Sequence, residues 1–288
     1  MFEKHTNCII CNNAELREIN KYKNNYLVKC SKCGFVFCSS VPTMDELVTH
    51  YENYKRDNVL SPITVKRYNK LLDIFEKYRS NNNLLDIGCG DGHFLSIAQK
   101  RGWNVYGTEF TDEAVSVCQY KKIIVHKGKL NPLNYLNMKF DVVTSFEVIE
   151  HINNPLEEIN NIKTILRKRG AFYLTTPNFN SISRYVLKEN WHIIEYPEHL
   201  SYYTNSTIKR LLTQSGFKKK FLHTHGINNF LCKGRKKSNP ILSNKEIETN
   251  FRKTIEGSFF LRVMKSILNY FLSFFKIGDS LKALFILD

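Results

Sequence analysis

No stretch of the 288-residue chain reaches the roughly 18 uninterrupted apolar residues that a membrane-spanning helix requires. The opening residues, MFEKHTNCIICNN, carry a charge pair and polar side chains where the apolar centre of a secretory leader would sit. The expectation is a cytoplasmic protein, with a peripheral position at the inner face of a membrane as its variant. Internal repeats and long low-complexity tracts are missing, which excludes a repeat architecture. No paired carboxylates stand out as a magnesium site. Acidic residues are in deficit, with 27 Asp and Glu against 42 Lys and Arg, a formal net charge of +15.

The composition is otherwise that of a soluble globular protein, 42% hydrophobic and 24% charged. Its length allows one full α/β core and a small appended module. The excess charge is uneven, because Ser201 to Asp288 holds 16 Lys and Arg against 5 Asp and Glu. That asymmetry points to an anionic partner such as nucleic acid, an acidic lipid surface or a phosphorylated carrier, or else to a solvated basic face. Eight cysteines in a cytoplasmic chain argue for metal or free thiols over disulfides.

Residues 1–42 read as a small Cys-rich module and residues 43–82 as a helical linker or lid. The latter opens on a Thr43-x-x-Glu46 capping box, and a second helix follows Pro62 to about Tyr78. From Asn83 strands and helices alternate, the pattern of a mostly parallel sheet with helices on both faces. Strands are predicted at Leu84–Gly88, Val105–Glu109, Ile123–His126, Phe140–Phe146 and Ala171–Thr176. Helices are predicted at His93–Arg101, Asp112–Tyr120 and Pro155–Arg167, with Gly170 as the stop of the last. A helix at Ser206–Ser215 and strands at Phe217–His223 and Asn228–Lys233 would complete the sheet as an antiparallel edge, closing a domain at 83–233. Residues 234–288 read as a basic linker and an amphipathic helical tail, with apolar residues at helical spacing from Ile255 to Phe275.

Chemistry concentrates first in LLDIGCGDGHFL, Leu84 to Leu95, a hydrophobic strand, a glycine turn and a helix start. Gly88, Gly90 and Gly92 permit a tight turn and close approach to a ligand. A dinucleotide fingerprint would need glycine at His93, and no Gly-Lys-Ser/Thr follows, which excludes a P-loop. Asp86, at the strand end, would repel a pyrophosphate but suits a cofactor bearing an ammonium and a sulfonium. Glu109 ends the next strand, where a carboxylate can accept both ribose hydroxyls.

These residues resemble motif I and the acidic second motif of the class I S-adenosylmethionine-dependent methyltransferases, Rossmann-like enzymes. The resemblance implies that Asp86, Gly88, Cys89, Gly90 and Glu109 bind S-adenosylmethionine. The segment FDVVTSFEVIEHINNP, Phe140 to Pro155, looks like the fourth motif, which implies that its strand-end residues Ser145 and Phe146 line the methyl-transfer site and bind the cofactor. In the third motif the chain departs from the family, since His126 to Leu130 offers no Asp to an adenine amine. His151 reads equally as a helix cap or a catalytic group.

The block Asn190 to Phe217 resembles bacterial methyltransferases of deoxysugars and surface polysaccharides. That resemblance puts Tyr196 and His199 at the acceptor with Glu198 beside them, His199 acting as general base. Cys8-x-x-Cys11 and Cys30-x-x-Cys33, eighteen residues apart, fit a four-thiolate structural Zn2+ ribbon, which sugar methyltransferases of this kind also carry. Cys38, Cys118 and Cys232 read as free thiols. The function expected is methylation of a sugar in surface glycan or nucleotide-sugar biosynthesis, on oxygen in preference to carbon. The alternative is a zinc-ribbon RNA methyltransferase, on the strength of the basic charge. The stripe from 255 to 275 could meet a dimer partner, its own domain or an anionic membrane.

Overall fold

A computed structural model describes residues 4–43, 46–47, 60–227, 254 and 257–288. The Cys-rich segment forms three short antiparallel strands, β1 (Leu16–Glu18), β2 (Leu27–Cys30) and β3 (Val36–Cys38). The reciprocal Thr43 and Glu46 bonds are in place, with Thr43 N 2.8 Å from Glu46 Oε2 and Glu46 N 3.2 Å from Thr43 Oγ1. Helix α1 (Pro62–Phe75) starts where Ser61 Oγ accepts the Thr64 amide and Pro62 occupies the first turn, where its missing N–H costs nothing.

The main sheet then builds through β4 (Asn83–Ile87), α2 (His93–Lys100), β5 (Asn104–Glu109), α3 (Asp112–Tyr120) and β6 (Ile124–Lys127). It continues through β7 (Phe140–Phe146), α4 (Pro155–Ile165), β8 (Leu166–Pro177) and the short α5 (Ile182–Leu187). A two-residue strand β9 (Ser201–Tyr202) precedes α6 (Asn205–Gln214), β10 (Phe217–His225), α7 (Phe259–Phe274) and β11 (Ser280–Leu287). The seven-stranded order is β10-β11-β8-β7-β4-β5-β6, and only β11 runs against its neighbours.

Successive side chains leave a strand on opposite faces, so a sheet covered on both sides reads as nearly unbroken apolar runs. Leu85, Val143 and Phe172 point into one core with Ile159 and Ile162 of α4 and Leu211 of α6. Their neighbours Leu84, Val142 and Tyr173 point into the other, with Phe75 of α1 and Phe94 and Leu95 of α2. The α/β class with helices on both faces is as the sequence implied.

Two boundaries differ from expectation. α4 ends at Ile165, and Leu166 to Gly170 already belong to β8, so Gly170 is not a helix stop. The carboxylate of Asp141, fully buried, explains the shift. It accepts Arg167 Nε at 2.5 Å and the amides of Ser80 and Asn81 at 2.8 and 2.7 Å, which holds the basic run against the sheet. The second difference is larger. The strand beside β8 comes from residues 280–287, within the segment expected to be helical tail, while the predicted strand at 228–233 lies outside the described residues. Leu281, Ala283, Leu284 and Phe285 are all fully buried in that position, so the C-terminal strand is central to the sheet.

The small sheet is likewise not self-contained. β3 pairs with β9, Val36 opposite Tyr202 and Phe37 opposite Ser201, and Gln214 Nε2 donates to Ile10 O at 2.7 Å. Phe285→Ala is expected to cost about 3–5 kcal/mol by opening a cavity in the core that Phe285 shares with Phe172 and Leu211. Urea unfolding followed by circular dichroism measures it, and a loss under 1 kcal/mol would contradict a central β11.

Candidate active site

Strand β4 delivers Asp86 to the carboxyl edge of the sheet, beside a cavity of about 1070 Å3. Gly88, Gly90 and Gly92 all have left-handed φ, at +65°, +52° and +68°. A Cβ on Gly88 would lie 2.6 Å from Val148 Cγ2, and one on Gly92 would lie 2.7 Å from Ile123 Cδ1. At Gly90 a Cβ would meet no protein atom within 4 Å, so this backbone faces open space that a ligand can approach closely.

Two acids sit on this turn. Asp86 is 3% exposed and accepts Thr144 Oγ1 at 2.7 Å. Burial, reinforced by the nearby charge of Glu109, raises its pKa to about 8. Glu109 closes β5 and ties the turn down, its Oε2 accepting Gly90 N at 3.0 Å and its Oε1 accepting the Phe110 and Thr111 amides at 2.9 and 3.1 Å. Cys89 also borders the cavity, but its thiol turns toward Gly107 and lies 4.0 Å from Cys118 Sγ, and its amide is donated to Thr108 O. Phe146 lines the cavity with Tyr68, the two rings 5.9 Å apart, whereas Ser145 is buried within β7 and is not among the lining residues.

The opposite wall comes from the fourth-motif turn and the Trp191–Tyr203 block. Glu147, at φ +52°, is exposed to the recess yet ringed by protein, and that desolvation raises its carboxyl above the usual range. Glu150 is buried behind it, accepts Thr176 Oγ1 at 3.0 Å, and is pushed well up by burial and by the Glu147 charge. His151 lines the cavity, and its Nδ1 is 2.7 Å from Glu198 O. A carbonyl only accepts, so Nδ1 carries the hydrogen and Nε2 is the basic nitrogen. His199 is held the same way by Ile193 O at 2.7 Å, its ring 4.8 Å from that of His151. Glu150, His151 and His199 each bring a ligand-type atom to within 4.8 Å of the others.

The three residues expected at the acceptor are placed differently from one another. Glu198 lines the cavity, but His199 stands behind His151 and is not itself a lining residue. Tyr196 is not brought to the cavity. Its ring packs edge-on against Tyr26 at 5.0 Å, beside the small sheet, and its amide donates to Asn25 Oδ1. The loop turns it away because Leu200 N is anchored to Glu150 O and Cys38 N to Leu200 O.

Several site residues went unnoticed in the sequence. Val41, Pro42 and Leu47 form part of the wall, and His5 Nε2 meets Asn153 Oδ1 at 2.7 Å, so the N-terminal module reaches the rim. The rim itself is rich in amides and acids, with Asn153, Asn154, Asn161, Glu157 and Glu158. Burial and the adjacent Glu157 raise Glu158 to about 7. The Asn153-Asn154 pair lies at the end of the fourth-motif segment, which was the available signal.

The four N-terminal cysteines converge. Cys8 Sγ is 3.6 Å from Cys33 Sγ, Cys11 Sγ is 3.6 Å from Cys30 Sγ, and all four sulfurs lie within 4.8 Å of one another.

A family model described as "Methyltransferase domain" matches residues 63–220, more than half of the chain. The chain belongs to the class I S-adenosylmethionine-dependent methyltransferase family. It is 30% identical over 115 residues to a ubiquinone biosynthesis O-methyltransferase of Actinobacillus pleuropneumoniae serotype 7 (strain AP76), covering 36% of this chain and 49% of that protein. It is 30% identical over 142 residues to the mitochondrial ubiquinone biosynthesis O-methyltransferase of Saccharomyces cerevisiae, covering 44% and 46%. The chain thus spans about half the length of the curated relatives it matches. The crystal structure of an S-adenosylmethionine-dependent methyltransferase from Archaeoglobus fulgidus superposes with a TM-score of 0.54 at 18% identity, covering 78% of this chain and 93% of that one, a likeness of fold. No helix among the described residues is long and apolar enough to cross a membrane.

For this methyltransferase, Gly88→Ala should lower stability by about 1–3 kcal/mol through clash and backbone strain. Adding Val148→Ala should recover only the steric part, because φ stays positive. Thermal denaturation of both variants checks this, and full recovery would show that φ is unstrained.

Proposed function

We propose that the chain transfers a methyl group from S-adenosylmethionine to an oxygen of a sugar-containing acceptor, with His151 as general base. The residues present fit the donor. Glycine at Gly90 leaves room for close backbone contact, Asp86 offers a desolvated carboxylate to a cationic group, and Glu109 lines the cavity with a carboxylate, the group that would meet ribose hydroxyls. Gly88 and Cys89 would shape the turn, and Phe146 with Tyr68 would pack on the donor's apolar edge. When bound, S-adenosylmethionine supplies an electrophilic methyl that needs no activation.

The protein's own task is then to hold the acceptor in line and remove its proton. An acceptor oxygen would form its bond to the methyl carbon as that carbon's bond to the donor sulfur breaks, the electron pair staying on sulfur as a neutral thioether, while the acceptor's hydrogen passes to Nε2 of His151. Glu198 orients that ring through its carbonyl, and His199 acts as a positioning residue behind it. Carbon methylation is the lesser variant of the same scheme.

One observation supports a sugar most. The rim of Asn153, Asn154, Asn161, Glu157 and Glu198 offers amides and carboxylates suited to several hydroxyls. An RNA acceptor fits less well, since its phosphates would meet Glu157, Glu158 and Glu198. The polysaccharide or nucleotide-sugar setting rests on the resemblance of the Trp191–Tyr203 block. His151→Ala should cut methyl transfer by about 10²–10⁴-fold while donor binding persists. The assay is transfer of labelled methyl to nucleotide-sugar and lipid-linked saccharide pools. Retention of most activity would remove His151 from the role, and labelling of RNA alone would remove the sugar.

The cysteine cluster suits Zn2+. A tetrahedron with Zn–S bonds near 2.3 Å has edges of about 3.8 Å, close to the 3.6 Å separations here. Cys8, Cys11, Cys30 and Cys33 would hold the ion and stabilise a module too small for its own core. Because β3 pairs with β9, metal removal should also loosen the Trp191–Tyr203 block. Elemental analysis should find about one equivalent of zinc. Chelation should raise protease sensitivity in both segments, and less than half an equivalent after refolding with zinc would reject the site.

A further inference from the structure

Helix α7 carries an outer surface against which no described residue packs. Phe259, Phe260, Met264, Ile267, Phe271 and Phe274 are all exposed, Phe259 to 75% and Phe274 to 68%, and Leu272 alone in the helix is buried. At 100° per residue, the apolar positions span an arc of about 200° centred away from the sheet. Lys265, Asn269, Lys276, Arg262, Ser273 and Ser266 fill a polar arc that begins at the protein side. None of the described residues covers the apolar arc.

We propose that α7 lies in the headgroup plane of an anionic membrane, with this arc in the acyl boundary. Three features select that occupant. The arc is twice the width of the stripe by which a helix usually packs on a partner, so one copy of this chain would leave much of it wet, whereas a lipid phase covers it all. Arg262, Lys265 and Lys276 are the charged residues from Gly257 to Gly278, with no acid among them, which complements anionic headgroups. The 16-residue helix is about 24 Å long, shorter than a hydrocarbon core of about 30 Å, so it lies along the surface and does not span it.

The seating of α7 gives this surface a purpose. Thr224 Oγ1 donates to Leu272 O at 2.6 Å, Gly226 N to Asn269 Oδ1 at 2.9 Å, and Asn178 Nδ2 to Lys276 O at 3.1 Å. These contacts fix the helix at the carboxyl ends of β8 and β10, the sheet edge that also bears the cavity. Docking would hold that edge near the bilayer, where a lipid-linked acceptor is presented. The docking itself does not depend on the acceptor being a sugar.

The test is co-sedimentation of the full chain with vesicles of phosphatidylglycerol and phosphatidylcholine, and with phosphatidylcholine alone. Binding to the anionic vesicles is expected, at least about tenfold weaker for the pair Phe260→Glu and Phe271→Glu. Arg262→Gln should weaken it about fivefold at low salt. Both changes are on exposed positions, and unchanged thermal unfolding confirms folded protein. Absence of binding to anionic vesicles, equal binding by the double variant, or a dimer that the double variant abolishes without any vesicle binding would each overturn the proposal.

Discussion

A carboxylate that the fold strips of water sits at the end of β4, and the site is organised around it. Asp86 accepts one hydroxyl, from Thr144, and among the described residues no ion pair neutralises it. Its pKa of about 8 means that the ligand-free chain holds it protonated at neutral pH. The sign follows directly. A carboxyl raised in the folded state stabilises at low pH, and that contribution is lost as pH climbs from about 4 through about 8. The fold tolerates this group because Glu109 locks the glycine turn over it through Gly90 N, and because left-handed backbone at three glycines lets the turn close. A cationic ligand in the cavity reverses the balance by favouring the charged form.

The second constraint is architectural. The N-terminal module is a wall of the site as much as an appendage. It donates β3 to β9, sets His5 on Asn153, and lines the cavity with Val41, Pro42 and Leu47. The four-cysteine cluster therefore supports, through one short sheet, the loop that aims Glu198 O at His151. The C-terminal strand does comparable work from the other direction, filling the gap between β8 and β10 and carrying α7 to the same edge.

Legibility in the sequence followed locality. The strand, turn and helix from Leu84 to Leu95 were readable because apolar runs, glycines and an N-terminal helix start are near neighbours, and the acid at Glu109 lies one βα unit on. The cysteine cluster was readable for the same reason. β11 was not, since an apolar run such as Leu281–Leu287 suits a helix or a strand, and its partner β8 lies more than a hundred residues earlier. The placement of His151 on the cavity wall, with Tyr196 and His199 off it, has a similar origin. Neighbouring residues in a loop point apart, and the direction each takes was decided by remote bonds, Leu200 N to Glu150 O and His151 Nδ1 to Glu198 O.

The measurement that bears most directly on the central claim is calorimetric titration of the chain with S-adenosylmethionine at pH 7, in two buffers of different ionisation enthalpy. If Asp86 faces the cationic donor, binding heat should differ between the buffers by the release of up to about one proton. The difference should vanish in Asp86→Asn and above about pH 9. No heat from folded protein, or heat that ignores both the buffer and the Asp86→Asn change, would contradict a donor seated on the β4 turn.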